Sequence, residues 1–558
     1  MILRGVGRRY GLRGPWVLRG LDLDLPTHTL VRIEGANGVG KSTLLRLLAG
    51  IDAPTEGHVT GRPRTAYVPE RFPVALPFTA AGYLVHMGRV HGLPAAEAAD
   101  RAEEWLSRFG AAAYARTPLA ELSKGTSQKV AVAQALLAES GLLVLDEAWT
   151  GLDTAARDAL DRAVAERVAD GATVVFVDHD PRRLAGSPSR THRLEGRTLH
   201  AAAPAADHGP RVRIEATGPA SAALPPGLPG TPTVERNTPD PAAVRLTTTA
   251  AHSDALLHAL VTARPPWHVT GLSQLPAPVP VPCSRHDGTA VGVESRPTPT
   301  AGPTEAATPE ATPGAVPGAA VVVPRPARPS GPQPRATAAL TRYRTALLAR
   351  SQRWLAPLLL YAAVLGVGVR AGQPLLDSLG YAAAAVVPLA AWLVRLCVTQ
   401  EPPAARNVVA AAVGPSSGHR ASLLAGLGCA LALGGAGTGI VLLISEPVST
   451  DRTAAVPLLP AALAGLLATL CCALTGAAAG ALCARPVLHR HGWSLAATVA
   501  GALLVLVTDG SPAKAAVTDL VSGSLTGTVR IPLLPLAGAA VVAVAVAVLT
   551  SRLAALRE

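Results

Sequence analysis

Residues 35–43 read Gly35-Ala36-Asn37-Gly38-Val39-Gly40-Lys41-Ser42-Thr43. This is a complete GxxxxGK[ST] pattern. It follows an apolar run, Leu30–Glu34, and opens a helical pattern over Ser42–Leu48, the context such a loop requires. Glycines let backbone N–H groups turn toward a phosphate chain, and the start of the helix adds its positive dipole. Gly35, Asn37, Gly38, Gly40 and Thr43 are therefore expected around a bound nucleotide. Lys41 can reach its β- and γ-phosphates, and Ser42 can offer a hydroxyl to Mg²⁺.

Further along, Leu142–Asp146 (LLVLD) reads as a buried strand that ends in two carboxylates, Asp146 and Glu147. Asp146, at the strand tip, can hold Mg²⁺ directly or through water. Glu147 can polarise an attacking water as general base.

With these two motifs the chain resembles the ATP-binding-cassette (ABC) family over residues 1 to about 200, and further residues fall in the family's order. Tyr10, in Arg-Arg-Tyr-Gly, matches the aromatic that stacks on adenine. Leu122-Ser123-Lys124-Gly125-Thr126 with Gln128 matches the signature loop. Asp153, in Thr150-Gly151-Leu152-Asp153, matches the loop after the second carboxylate, and His179 matches the switch histidine. Two positions depart from the pattern. Glu70 stands where the family usually has Gln, and the signature reads Leu-Ser-Lys-Gly-Thr, with Lys124 either a further cation or a solvated side chain. The resemblance implies ATP and Mg²⁺ as cofactors. It implies hydrolysis with Glu147 and His179 as catalytic residues. It also implies a shared site, in which the Ser123–Gly125 loop of a second subunit closes over the ATP held by the first.

Outward from these motifs the texture changes in blocks. Residues 1–202 alternate strand-like and helical runs, as a parallel α/β domain does. Residues 208–275 read as a small α/β appendage, with strands at 211–215, 243–247 and 267–272 and a helix at 253–264. Residues 276–335 hold 15 Pro in 60 positions and are expected to form a flexible linker separating the two halves. From 336 to 558 the chain is apolar, with charge-poor stretches at 354–369, 374–394, 421–445, 454–484, 492–508 and 531–551. These are expected to make an all-α transmembrane domain of about six helices.

Composition agrees with this division. The 558 residues are 49% hydrophobic and 16% charged, too apolar for disorder or for an ordinary soluble enzyme. The net charge of +12 admits a nucleic-acid partner, but no Arg/Lys run is dense enough for one, and arginines flanking membrane helices account for the excess. With the N-terminus inside, the inner flanks of the six stretches carry eleven basic residues and the outer flanks four. The N-terminus lacks a signal-peptide core. The expectation is a multi-pass cell-membrane protein with its ATPase domain and both termini cytoplasmic. Cys397, Cys429, Cys471, Cys472 and Cys483 lie in or beside apolar stretches without metal-ligand spacing and read as packing residues.

One cassette and about six spans look like a half-transporter, working as a homodimer or with a related chain, in the lipid bilayer, on an unknown substrate. A fused cassette is typical of exporters. The segment Arg395–Arg420 between the second and third spans is the expected contact with the cassette. A membrane-anchored ATPase with a sensing role is the alternative. A non-transporting ABC protein acting on ribosomes or DNA would usually carry two cassettes and no membrane half.

Overall fold

The computed structural model describes residues 1–11, 13–180, 183–184, 187–202, 211–218, 224–225, 228–229, 232–236, 243–263, 265–275, 334–488 and 491–557. The chain divides into two compact units, Met1–Ala202 together with Pro326–Glu558, and Ala203–Arg325.

The first 202 residues run β1 (Ile2–Arg9), β2 (Trp16–Asp24), β3 (Thr29–Glu34), α1 (Lys41–Ala49), β4 (Glu56–Thr60), β5 (Thr65–Val68), α2 (Ala80–Val90), α3 (Ala95–Arg108), α4 (Lys124–Leu136), β6 (Leu142–Asp146), α5 (Thr154–Ala169), β7 (Thr173–Val177), β8 (Arg190–Glu195) and β9 (Thr198–Ala202). β5, β6, β7, β3 and β8 lie side by side in that order as a parallel sheet, and β9 closes its edge antiparallel. Every residue of β6 and β7 is buried, as expected of continuous apolar strands covered on both faces. A second, antiparallel sheet, β2-β1-β4, packs Leu3, Val6, Leu18 and Leu21 with Val31 and Ile33 and with the buried leucines of α1. Because β6, β7 and β3 are neighbours, the segments that leave their carboxyl ends meet in one place, where open parallel sheets bind ligands.

The second unit contains β10 (Arg211–Thr217), β11 (Thr233–Arg236), β12 (Ala243–Thr249), α6 (Ala250–Thr262) and β13 (His268–Leu275). They form an antiparallel sheet in the order β11-β12-β10-β13, with Ile214, Leu246, Leu256 and Leu260 in its core. β11 was not expected from the sequence: four residues with two charges carry too little period-2 signal. Residues 208–210, expected to start this module, and 276–333 of the expected linker lie outside the described residues. The linker's last two residues are corrected to helix.

The remaining helices are α7 (Pro334–Arg350), α8 (Leu355–Gly368), α9 (Leu375–Thr399), α10 (Pro403–Val413), α11 (Pro415–Ile444), α12 (Leu458–Leu482), α13 (His491–Val507), α14 (Pro512–Thr526) and α15 (Leu533–Arg557). Against the expected six or so spans, the helices are of uneven length. Among the described residues four helices, α9, α11, α12 and α15, are long and apolar enough to cross a membrane. A fifth span is reached only if α13 and α14, bent by 45° at their junction, count as one. The stretch at 354–369 yields α8, a helix of 14 residues, shorter than the roughly 20 a bilayer core needs.

α9 is the centre of the helical half. Gly476 and Gly480 of α12 lie against the backbone of Val387 and Ala391, where a Cβ would collide with their carbonyl oxygens. Small residues thus bring these two helices into close approach, the usual solution where lipid removes any hydrophobic drive for association. Cys397, Cys471 and Cys472 are buried and unpaired, as packing residues should be.

The cassette and the helical half share one core. Leu340, Tyr343 and Leu347 of α7 and Ala405, Val408 and Val409 of α10 are buried in the same cluster as Phe78, Tyr83 and Leu84 around α2. Tyr343 stacks on Phe78, with centroids 5.5 Å apart. α10 lies within Arg395–Arg420, the segment expected to meet the cassette. α7 was not singled out, because its four arginines hide an apolar face.

Candidate functional site

The glycine loop between β3 and α1 is held open by backbone that only glycine adopts without strain. Gly38 has φ 78° and Gly40 φ 113°. Lys41 follows as the first helical residue, and its Nζ donates to the carbonyls of Gly35 at 2.8 Å and Ala36 at 3.1 Å, so the ammonium lies across the loop. Ser42 donates from Oγ to Asp146 Oδ1 at 3.3 Å, joining the helix to the tip of β6. Tyr67 on β5 donates to the other oxygen, Oδ2, at 3.2 Å, and its own carbonyl accepts from Gln134 at 2.7 Å. Neither Tyr67 nor Gln134 was singled out from the sequence. A tyrosine inside a short strand reads as core, and only the strand order brings it to Asp146.

Burial pushes the Asp146 carboxyl up to about 6. Hydrogen bonds from Ser42 and Tyr67 pull it back, while the neighbouring Glu147 and Glu70 add to the rise. A buried carboxylate with two more nearby is a surplus of negative charge that a divalent cation relieves. Its Oδ1 lies beside the Ser42 hydroxyl, so these hard oxygens suit Mg²⁺, which takes few protein ligands and leaves the rest to water and phosphates. Among the described residues no cluster of three His, Cys, Asp or Glu forms a protein-only metal cage.

Glu147 sits at φ 52°, a left-handed conformation uncommon for any residue but glycine, and such outliers gather at functional sites. Its N–H is tied to the Val177 carbonyl at 3.0 Å and its carbonyl accepts from Thr150 at 3.1 Å. Its carboxylate meets His179 Nε2 at 2.7 Å. The cleft over the loop measures about 400 Å³. Asn37, Gly38, Gly40, Lys41, Ser42, Thr43, Glu70, Glu147 and His179 line it, together with Val17, which the sequence did not single out. Glu70 is half exposed and approaches Arg71 at 3.8 Å.

Four expected residues stand apart from this cleft. Tyr10 donates its hydroxyl to Asp52 at 2.8 Å, accepts from Arg46, and reaches Thr43 at 3.5 Å, with the Arg8 guanidinium 4.9 Å from its ring centre. Ser123 caps α4, accepting from the N–H of Thr126 at 3.2 Å, and Gly125 packs on the Gly151 carbonyl. Asp153 caps α5 through the N–H of Ala156 at 2.8 Å and pairs with Lys129 at 2.6 Å, which holds its carboxyl below the usual range. Lys129 thus ties the signature helix to the loop after Glu147.

A family model described as ABC transporter matches residues 18–150. The uncharacterized ABC transporter ATP-binding protein YhaQ of Bacillus subtilis is 34% identical over 169 residues, 29% of this chain and 57% of that protein. The aliphatic sulfonates import ATP-binding protein SsuB of Mycobacterium avium is 36% identical over 36% of this chain and 79% of its own length. The macrolide export ATP-binding/permease protein MacB 1/2 of Paracoccus denitrificans is 33% identical, over 37% of this chain and 34% of its own. The chain thus spans little more than half of the first of these relatives and about a third of the last.

Proposed function

This chain belongs to the ABC transporter family, and on that premise we propose that it is a half-transporter that hydrolyses ATP and couples the cycle to its apolar helices. The observation that carries the reading is the Glu147–His179 pair at 2.7 Å, set beside Ser42–Asp146 at the mouth of the glycine loop.

The loop amides and Lys41 bind the β- and γ-phosphates, for which the ammonium leaves the Gly35 and Ala36 carbonyls. Ser42 and Asp146 would hold Mg²⁺, which supplies charge neutralisation on the phosphates. Glu147 takes a proton from water as its oxygen bonds to the γ-phosphorus; the bond to the β–γ bridging oxygen breaks, leaving ADP and phosphate. His179 orients the carboxylate and reaches toward the γ-phosphate. Tyr10 turns from Asp52 to stack on adenine, and Glu70 stands near the phosphates. Ser123 and Gly125, which lie outside the cleft of their own chain, with Asp153 behind them, complete the site of a second subunit. The helix dipole at the start of α4 then faces the γ-phosphate, and hydrolysis removes that attraction.

Residues 1–202 act as the ATPase domain, 208–275 as a separate small module and 336–558 as the membrane domain. The excess of basic residues on one set of flanks of the six apolar stretches supports a multi-pass cell-membrane protein with the cassette and both termini in the cytoplasm. The partner is a second copy or a related half-transporter. Fusion of cassette and helices on one chain favours export of a substrate whose identity is open.

The test is ATP turnover by the full chain in lipid nanodiscs. Glu147→Gln is expected to lower it by roughly 10²–10⁴-fold, as loss of a general base does, and to hold a dimer at saturating Mg·ATP. Undiminished turnover in this variant overturns the reading.

A further inference from the structure

At the cassette-side end of the helical half, basic side chains outnumber acids. Across 395–420 and 483–494 the only carboxylate is Glu401. It is buried, pairs with the Arg344 guanidinium, and accepts from the Tyr343 hydroxyl at 2.8 Å, so its charge is already neutralised.

Beside it is a cavity of about 170 Å³, lined by Glu401, Arg406 of α10, Arg485 from the turn between α12 and α13, Thr399 and Ser494. The volume holds several waters. Behind Ser494 lies Arg395, 4% exposed. Its Nε donates to Ser494 Oγ at 3.2 Å, and its Nη2 is buried without a hydrogen-bond partner. Among the described residues no carboxylate lies within ion-pair distance of Arg395 or Arg485. A guanidinium removed from water without a counter-charge is costly. Planar guanidiniums converging with hydroxyls suit a tetrahedral oxyanion, and basic pockets between membrane helices take phosphate head groups.

We propose that this cavity binds a phosphate oxyanion, in reach of both the adjoining leaflet and the face that meets the cassette. The site joins α9, α10, the turn after α12 and α13, so its ligand braces α10, the helix buried against the cassette. The inference does not depend on ATP turnover.

The experiment is native mass spectrometry and thermal melting of the full chain, transferred from nanodiscs of phosphatidylcholine with or without phosphatidylglycerol. A second arm supplies inorganic phosphate or glycerol 3-phosphate in neutral detergent. The expected result is preferential retention of phosphatidylglycerol, weakened about tenfold in Arg485→Gln. Stabilisation by soluble phosphate that is lost in Arg485→Gln also supports the site and assigns it a soluble ligand. Equal retention of both lipids with no effect of soluble phosphate overturns the proposal. So does a preference that persists unchanged in both Arg485→Gln and Arg395→Gln. Arg485 is partly exposed, so its replacement tests the site even where the Arg395 variant fails to fold.

Discussion

The cassette and the helical half are written in different kinds of information. In the cassette, the proposed phosphate and metal chemistry calls for particular atoms at particular places, so single residues such as Lys41, Asp146 and Glu147 can be picked out by their motifs. In the helices, Ala, Gly, Leu and Val recur without a single motif, and what matters is which faces touch. Gly435 and Gly480 look alike in sequence. Yet one has open space beside it and the other is pressed against the Ala391 backbone. Chemistry is carried by residue type, whereas packing is carried by position.

The largest expected effect lies in the cassette. Lys41→Ala should abolish ATP turnover and nucleotide binding, with the fold intact by circular dichroism; normal binding by this variant would end the comparison. Next comes the junction. Glu401→Ala leaves Arg344 buried without its partner and should cost about 3–5 kcal/mol, read as a lower thermal midpoint of the full chain. An unchanged midpoint would show that α7 and the turn before α10 are held together by apolar contact alone.

A smaller effect should appear as a pH slope. Burial, with Arg64 adding to it, pushes His91 down to about 4 from an ordinary value near 6.5. The folded protein therefore binds fewer protons than the unfolded one between these values. The stability this confers is complete above about pH 6.5 and is lost as pH falls toward 4, on the order of 3 kcal/mol. His91→Leu should flatten that part of the profile, and a profile unchanged by the substitution would refute the assignment. The smallest effect separates the two glycines. Gly480→Val should cost about 1–3 kcal/mol by forcing α9 and α12 apart, and Gly435→Val little. Equal costs would mean that helix propensity, and not close approach, governs this half.

Legibility followed the same division. The strands under Gly35–Thr43 and Asp146 were readable because apolar runs end in residues with one chemical use. Tyr67 escaped notice, since its value comes from lying on β5, next to β6. Tyr10 matches an adenine-stacking residue by its setting, but its hydroxyl rests on Asp52, a contact 42 residues away in sequence. The number of spans was less legible, because hydropathy does not see helix ends. Residues 354–369 are apolar throughout, yet their helix stops after 14 residues, and Gly510 at φ 84° lies in the turn that divides α13 from α14. α7 hid behind its arginines, although Tyr343 and Leu347 make it part of the cassette's core.

By itself the amino-acid order determined that the chain has a phosphate-binding α/β domain and an apolar helical region, because loop chemistry and hydrophobic runs are local properties. Tertiary structure alone decided that Glu147 and His179 form a pair, that α7 and α10 enter the cassette's core, and that arginines from α10 and the turn before α13 line one cavity, with Arg395 of α9 behind its Ser494 wall. Each of these joins residues far apart in the chain, and only strand order and helix packing bring them together.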